Sequence, residues 1–173
     1  MARAPRLPQG GPSIFDDAAE QGPASAPVLN RPPRRRLVVE ADGGSRGNPG
    51  PGAYGALVRD ASTGEVLDAE GVTLGVCTNN VAEYSGLIAG LEMARAVDPQ
   101  AALEVRMDSK LVIEQMAGRW KVKHPAMLPL AVKAQGLRPA EVTWTWVPRE
   151  QNKAADRLAN EAMDGRPRRR ASS

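Results

Sequence analysis

Cysteine and histidine are almost missing: the 173 residues contain one of each, Cys77 and His124. A lone cysteine cannot close an intrachain disulfide, which excludes a stapled secreted scaffold and makes a reducing cytoplasm the expected location. The chain also has almost no thiolate or imidazole to offer a metal ion. No apolar stretch approaches the ~20 residues needed to span a bilayer, so no membrane partner is expected. The first residues carry Arg and Pro without an apolar core segment, so a secretory signal is not expected. There is no Gly-Lys-Ser/Thr, which removes a P-loop. Gly50-Pro51-Gly52-Ala53-Tyr54-Gly55 satisfies the glycine spacing of a dinucleotide fingerprint, but Ala56-Leu57-Val58-Arg59 after it reads as strand, where that site needs a helix N-terminus.

Neither charge sign dominates: 23 Lys+Arg face 20 Asp+Glu, and the pI is about 9.3. The distribution is uneven. Residues 1–36 hold seven of the 15 prolines, end in Arg34-Arg35-Arg36 and show no sustained hydrophobic period, so they read as a disordered Pro/Arg-rich arm. Residues 165–173, with four Arg and no acid, read as a basic disordered tail. The stretch 37–164 between them holds 13 basic and 17 acidic residues and is the expected folded domain.

Within that domain the hydrophobic pattern sets an element order. Leu37–Ala41 is a short apolar strand ending at the turn-rich stretch Asp42–Gly52. Ala53–Arg59 and Glu65–Thr73 form a hairpin, and Asn80–Val97 keeps helical spacing until Asp98-Pro99. Leu103–Met107 is a strand, Ser109 caps a helix running to Met116, and 126–135 is a helix closed by Gly136. Glu141–Val147 is a strand and Asn152–Met163 a helix. The order β-β-β-α-β-α-α-β-α implies an α/β fold, a mixed sheet with helices packed on it.

Four acids stand in unusual places. Asp42 and Asp108 each directly follow an apolar strand, while Glu83 and Asp156 sit in early turns of helices. Singly, each has an ordinary role as a turn, cap or solvated helix residue; Glu83 is three residues after Asn80, a capping-box spacing. If the strands before Asp42 and Asp108 are adjacent and parallel, the two acids share one rim of the sheet. Four carboxylates gathered there would repel one another unless cations neutralise them, and hard divalent ions prefer such oxygen ligands.

Four stretches, in order, resemble ribonuclease HI: Asp42-Gly43-Gly44-Ser45-Arg46-Gly47-Asn48-Pro49-Gly50-Pro51-Gly52-Ala53-Tyr54-Gly55, Thr78-Asn79-Asn80-Val81-Ala82-Glu83-Tyr84, Met107-Asp108-Ser109, and Pro148-Arg149-Glu150-Gln151-Asn152-Lys153-Ala154-Ala155-Asp156-Arg157-Leu158-Ala159. The resemblance covers about 37–163 and implies a ribonuclease H-like fold, a five-stranded mixed sheet of a three-strand antiparallel meander plus two parallel strands, flanked by helices. It assigns Asp42, Glu83, Asp108 and Asp156 as the catalytic, metal-binding carboxylates. It implies two Mg²⁺ ions, with Mn²⁺ as a substitute, and endonucleolytic hydrolysis of the RNA strand of an RNA–DNA hybrid by a monomer, leaving 5′-phosphate and 3′-hydroxyl ends. By the same resemblance Gly43 and Gly44 allow close approach of the RNA strand, Asn48, Asn79 and Asn80 are minor-groove amides, Thr78 contacts a DNA-strand phosphate, and Asn152, on the active-site side of its helix, is a further substrate-binding residue. The alternatives are a non-catalytic hybrid-binding module and the same chemistry acting on double-stranded RNA.

Three departures from the family pattern are visible. Many members carry a mobile His in the loop ahead of the last helix; here Pro148-Arg149-Glu150-Gln151 has none, leaving Arg149 or Glu150 as auxiliary groups. Val76 stands where some members place a phosphate-binding Arg. The basic helical protrusion of other members is missing, and Trp120, Lys121 and Lys123 are the candidates for a small stacking and phosphate surface.

Overall fold

The computed structural model describes residues 33–171. The elements are β1 (Arg36–Ser45), β2 (Gly50–Asp60), β3 (Val66–Cys77), α1 (Asn79–Val97), β4 (Ala102–Met107), α2 (Lys110–Met116), α3 (Leu128–Leu137), β5 (Val142–Trp146), a 3-10 turn (Arg149–Gln151) and α4 (Lys153–Met163). The strands form one sheet in the order β3-β2-β1-β4-β5. The two hairpin pairings are antiparallel, and β1–β4 and β4–β5 are parallel, as the resemblance implied.

Most element boundaries match the hydrophobic periods, and three shift for physical reasons. β1 runs through the stretch expected as a turn, because Asp42 to Ser45 continue the ladder opposite Gly55 to Gly52. Gly136 lies inside α3, which ends at Leu137 and is capped by Arg138 ahead of Pro139, the residue that cannot continue a helix. The cap of α1 is Thr78, whose Oγ1 accepts from the Val81 N–H at 3.3 Å, so Glu83 does not serve as a capping-box partner.

The main core joins one sheet face to α1, α2 and α3 through Leu37, Val39, Leu87, Val105, Ile113 and Ala134, all nearly inaccessible. The buried Tyr84 hydroxyl donates to Gln115 Oε1 at 2.7 Å and links α1 to α2. A smaller cluster of Leu57, Ala69, Ala155 and Leu158 seats α4 on β2 and β3. Here the sheet must be bare: a Cβ on Gly55 would stand 2.2 Å from the Ala155 carbonyl oxygen. On the α1 side, a Cβ on Gly43 would stand 2.2 Å from the Ala82 backbone. These two close approaches bring the first turns of α4 and α1 onto the sheet beside the end of β1.

The ends of the domain differ from expectation. Of the arm expected over 1–36, residues 1–32 lie outside the described residues; Arg36 already begins β1, and the Arg35 carbonyl accepts from the Ala102 N–H at 2.9 Å. The segment expected as a disordered tail is ordered as far as Ala171. Gly71 and Arg168 exchange both backbone hydrogen bonds at 2.9 Å, Arg170 donates to Glu70 at 2.6 and 3.0 Å, and the Ala171 N–H bonds Asp68 at 2.8 Å. The reason is the acidic edge of β3: Asp68 and Glu70 there, with Glu92 of α1 3.7 Å from Arg170, are counter-charges that composition does not reveal.

Candidate active site

The parallel register places two of the four acids together. Glu40 lies opposite Arg106, and two residues further along each strand come Asp42 and Asp108. Asp42 therefore stands where pairing with β4 stops while pairing with β2 continues. Glu83 enters from the first turns of α1, held close by the bare Gly43 backbone. One carboxylate oxygen from each of Asp42, Glu83 and Asp108 lies within 4.8 Å of the others, a grouping that could hold a metal ion. Asp156, from α4, lines the same cleft of about 360 Å³ and lies near enough for its charge to act on Asp42, but it stands outside that tight triad.

Electrostatics bear out the crowding. Burial, then the charges of Asp108 and Asp156, push the Asp42 carboxyl up to about 8, against partial relief from the Gly43 backbone. Burial and the Asp42 and Asp108 charges raise Glu83 well above the usual carboxylate range. Glu83 Oε2 is buried without any hydrogen-bond partner. A carboxylate oxygen left bare at the centre of an acidic triad fits a bound hard cation, because that is the partner which removes both the desolvation and the repulsion.

The remaining predicted residues divide by position. Gly43, Gly44 and Asn79 line the cleft. A Cβ on Gly44 would meet nothing nearer than Asn79 Oδ1 at 3.9 Å, so the open approach belongs to Gly44, while Gly43 is bare because α1 presses on it. Asn79 Oδ1 accepts from the Ser45 N–H at 2.9 Å, and Asn48 Oδ1 accepts from the Asn79 N–H at 3.2 Å. Thr78 is exposed at the α1 cap, and Asn80 is half-buried in the first turn, outside the cleft lining.

Asn152 departs most from expectation. It is 1% exposed, and its Nδ2 donates to the Ala41 carbonyl and to Asp108 Oδ1, both at 2.9 Å. A side chain so enclosed has no surface for a substrate contact.

Arg149 is exposed in the 3-10 turn and lines the cleft, its guanidinium 3.8 Å from Asp156 Oδ1; Glu150 is exposed beside it and is not in the lining. Trp120, Lys121 and Lys123 are exposed together around a separate shallow depression that shares no residue with the cleft. His124 is exposed too, its Nδ1 accepting the Ala126 N–H at 3.1 Å ahead of α3. Two further residues of the site were not singled out in the sequence. Arg46 lines the cleft and pairs with Asp164 at 2.7 Å, and the Trp146 indole N–H donates to the Asp108 carbonyl at 3.1 Å. A cation just after the Asp-Gly-Gly turn was the available hint for Arg46; nothing local marked Trp146.

Comparison with known proteins agrees with this geometry. Residues 40–162 match the family described as reverse transcriptase-like. The bifunctional protein Rv2228c of Mycobacterium tuberculosis is 56% identical over 131 residues, 75% of this chain; the chain spans only 36% of that relative's length. The solved N-terminal RNase H domain of Rv2228c superposes with a TM-score of 0.73 at 55% identity, over 76% of this chain and 95% of that one. LC11-RNase H1, solved in complex with an RNA/DNA hybrid, gives a TM-score of 0.71 at 38% identity, over 75% of this chain and 97% of that one. Ribonuclease H of Hydrogenovibrio crunogenus is 37% identical over 146 residues, 75% of this chain and 97% of its own length. On its fold, its acidic triad and these matches, the chain belongs to the ribonuclease H family.

Proposed function

We propose that this protein is an endoribonuclease that hydrolyses the RNA strand of RNA–DNA hybrids, leaving 5′-phosphate and 3′-hydroxyl ends. The observation that carries the reading is the Asp42–Glu83–Asp108 triad with its partnerless Glu83 oxygen. LC11-RNase H1, which shares the fold, was solved with such a hybrid, and that supports the choice of substrate. Asp42, Glu83, Asp108 and Asp156 would hold two Mg²⁺ ions, or Mn²⁺ in their place. Bound there, the ions supply Lewis acidity to the attacking water and to the departing 3′-oxygen.

The chain's own groups do the rest. With the Asn79 and Asn48 carbonyl oxygens occupied inside the protein, their amide N–H groups are left to donate outward. Every base offers an acceptor in the minor groove, so donors there grip a duplex without selecting sequence. Gly44 leaves the backbone open to the RNA strand, and the Thr78 hydroxyl, accepting from Val81, keeps its hydrogen for a DNA-strand phosphate. Arg149 holds a positive charge beside Asp156, where it can meet the phosphate or help the product leave. We read it as a cytoplasmic monomer on its single cysteine and its resemblance to the family; among the described residues no helix is long and apolar enough to cross a membrane.

The test compares cleavage of labelled hybrid, RNA duplex and DNA duplex, each with Mg²⁺ and with EDTA. Hybrid alone should be cut, and only with the ion. Asp108→Asn should reduce the rate by about 10²–10³-fold or more while hybrid binding persists, the size of loss seen when a principal charge-stabilising group is removed. Binding without any cleavage by the native protein would favour the non-catalytic module, and cleavage of RNA duplex would widen the substrate class.

A further inference from the structure

We propose that Asn152 is a positioning residue that sets the Asp108 carboxylate, tying the starts and ends of three elements together at the metal-binding triad. The inference rests on the proposed hybrid-cleaving function. Asn152 occupies the N-cap position of α4, where an asparagine ordinarily turns its side-chain oxygen back to accept a helix N–H. It does not: α4 has no side-chain cap bond, and Asn152 Oδ1 is buried without a partner. Both amide hydrogens are instead directed inward, one to the last buried carbonyl before Asp42 and one to Asp108 Oδ1. The opposite orientation of the amide would set its oxygen against a carbonyl and a carboxylate, so the two acceptors dictate the direction.

A residue that gives up its cap and leaves an acceptor buried is constrained by something outside its own helix. That constraint is the site. One amide fixes the spacing of the β1 and β4 ends and holds an Asp108 oxygen, while the Trp146 indole pins the Asp108 backbone from β5. Asp108 is thereby held ready before any ion arrives, and the groups that orient ligands in this way carry about 10–100-fold in affinity or rate.

The experiment uses the full chain with Asn152→Ala and with Asn152→Leu, which keeps volume without a donor. Mn²⁺ alone is titrated calorimetrically without nucleic acid, and kcat and KM for hybrid are measured alongside the native protein. The expected result is a Mn²⁺ Kd raised and kcat lowered, each by about 10-fold or more, with KM within about two-fold of native. A raised KM with unchanged Mn²⁺ affinity would make Asn152 a substrate contact and overturn the proposal, as would no change in either. If neither variant folds, the Asn152 side-chain amide is followed by NMR in the native protein; it should be protected from exchange and shift on Mg²⁺ addition, and an unmoved resonance overturns the proposal. Absence of cleavage by the native protein would instead defeat the functional reading while leaving the Mn²⁺ titration interpretable.

Discussion

Asp42 shows how one residue's meaning changes with its neighbours. Following a strand and preceding two glycines, it is indistinguishable from a turn aspartate; beside Asp108 and Glu83 it becomes a group that resists ionising. Its folded-state carboxyl lies near 8, above the unfolded value of 3.8, so the native protein binds more protons than the unfolded chain between those limits. The contribution of Asp42 to the stability of the metal-free protein is therefore full below about 3.8 and is lost as pH rises through about 8. In EDTA we expect Tm to fall by about 5 °C or more between pH 5 and pH 8, as a few kcal/mol would produce in a domain of this size. Saturating Mg²⁺ should remove most of that fall, and Asp42→Asn should flatten it in EDTA. A Tm that rises over this range without metal would contradict the crowded carboxylate site.

At the scale of elements, the site depends on how closely helices can approach the sheet. Gly55 carries no chemistry, yet a Cβ there would meet the Ala155 carbonyl at 2.2 Å, a backbone atom that moves only if α4 moves. We expect Gly55→Ala to cost about 1–3 kcal/mol in urea denaturation, the range for overpacked cores. Cleavage should drop more than stability alone accounts for, because α4 carries Asp156 and begins at Asn152. The segment after α4 is a second element-scale contribution. Arg170, 21% exposed, reaches Glu70 and Glu92, and Arg168 extends the exposed edge of β3 by a backbone bridge. Covering an edge strand removes a template for unwanted pairing. Arg170→Ala should destabilise the domain by about 1–2 kcal/mol, the scale of charge-assisted hydrogen bonds, with the cleavage rate at moderate temperature unchanged.

Over the whole molecule, the fold redistributes charge. Arg34 and Arg35 pair with Glu141 and Asp60 at 3.7 and 3.3 Å, and the arginines at 166–170 lie within the described segment. Residues 1–32 are left with three arginines and three acids, and 33–171 hold 20 basic and 17 acidic residues. The positive balance thus belongs to Arg34, Arg35, Arg36 and the arginines at 166–170, all within the described residues, and not to 1–32. Counterion release follows the cations that meet phosphate, so removing 1–32 should leave the slope of log Kd against log salt unchanged to within about one. A shallower slope, measured by hybrid binding over a salt series, would show that the removed cations touch the duplex.

Some of this was settled by the sequence alone. The strand and helix periods, the placement of Asp42, Glu83, Asp108 and Asp156 at element ends, and the four ordered motifs are local features, readable because backbone geometry repeats every two or 3.6 residues. Other features had no local expression. That Gly43 is bare for a helix while Gly44 is bare for open space, and that Arg168 and Arg170 dock on β3, depend on residues far away in the chain. Asn152 is the clearest case: its type and its place before the helix suggest a cap or a surface amide, and only the convergence of β1, β4 and α4 turns its two hydrogens toward Ala41 and Asp108. Direction of a buried hydrogen bond is chosen by which acceptors the fold brings near, and that choice is made in three dimensions.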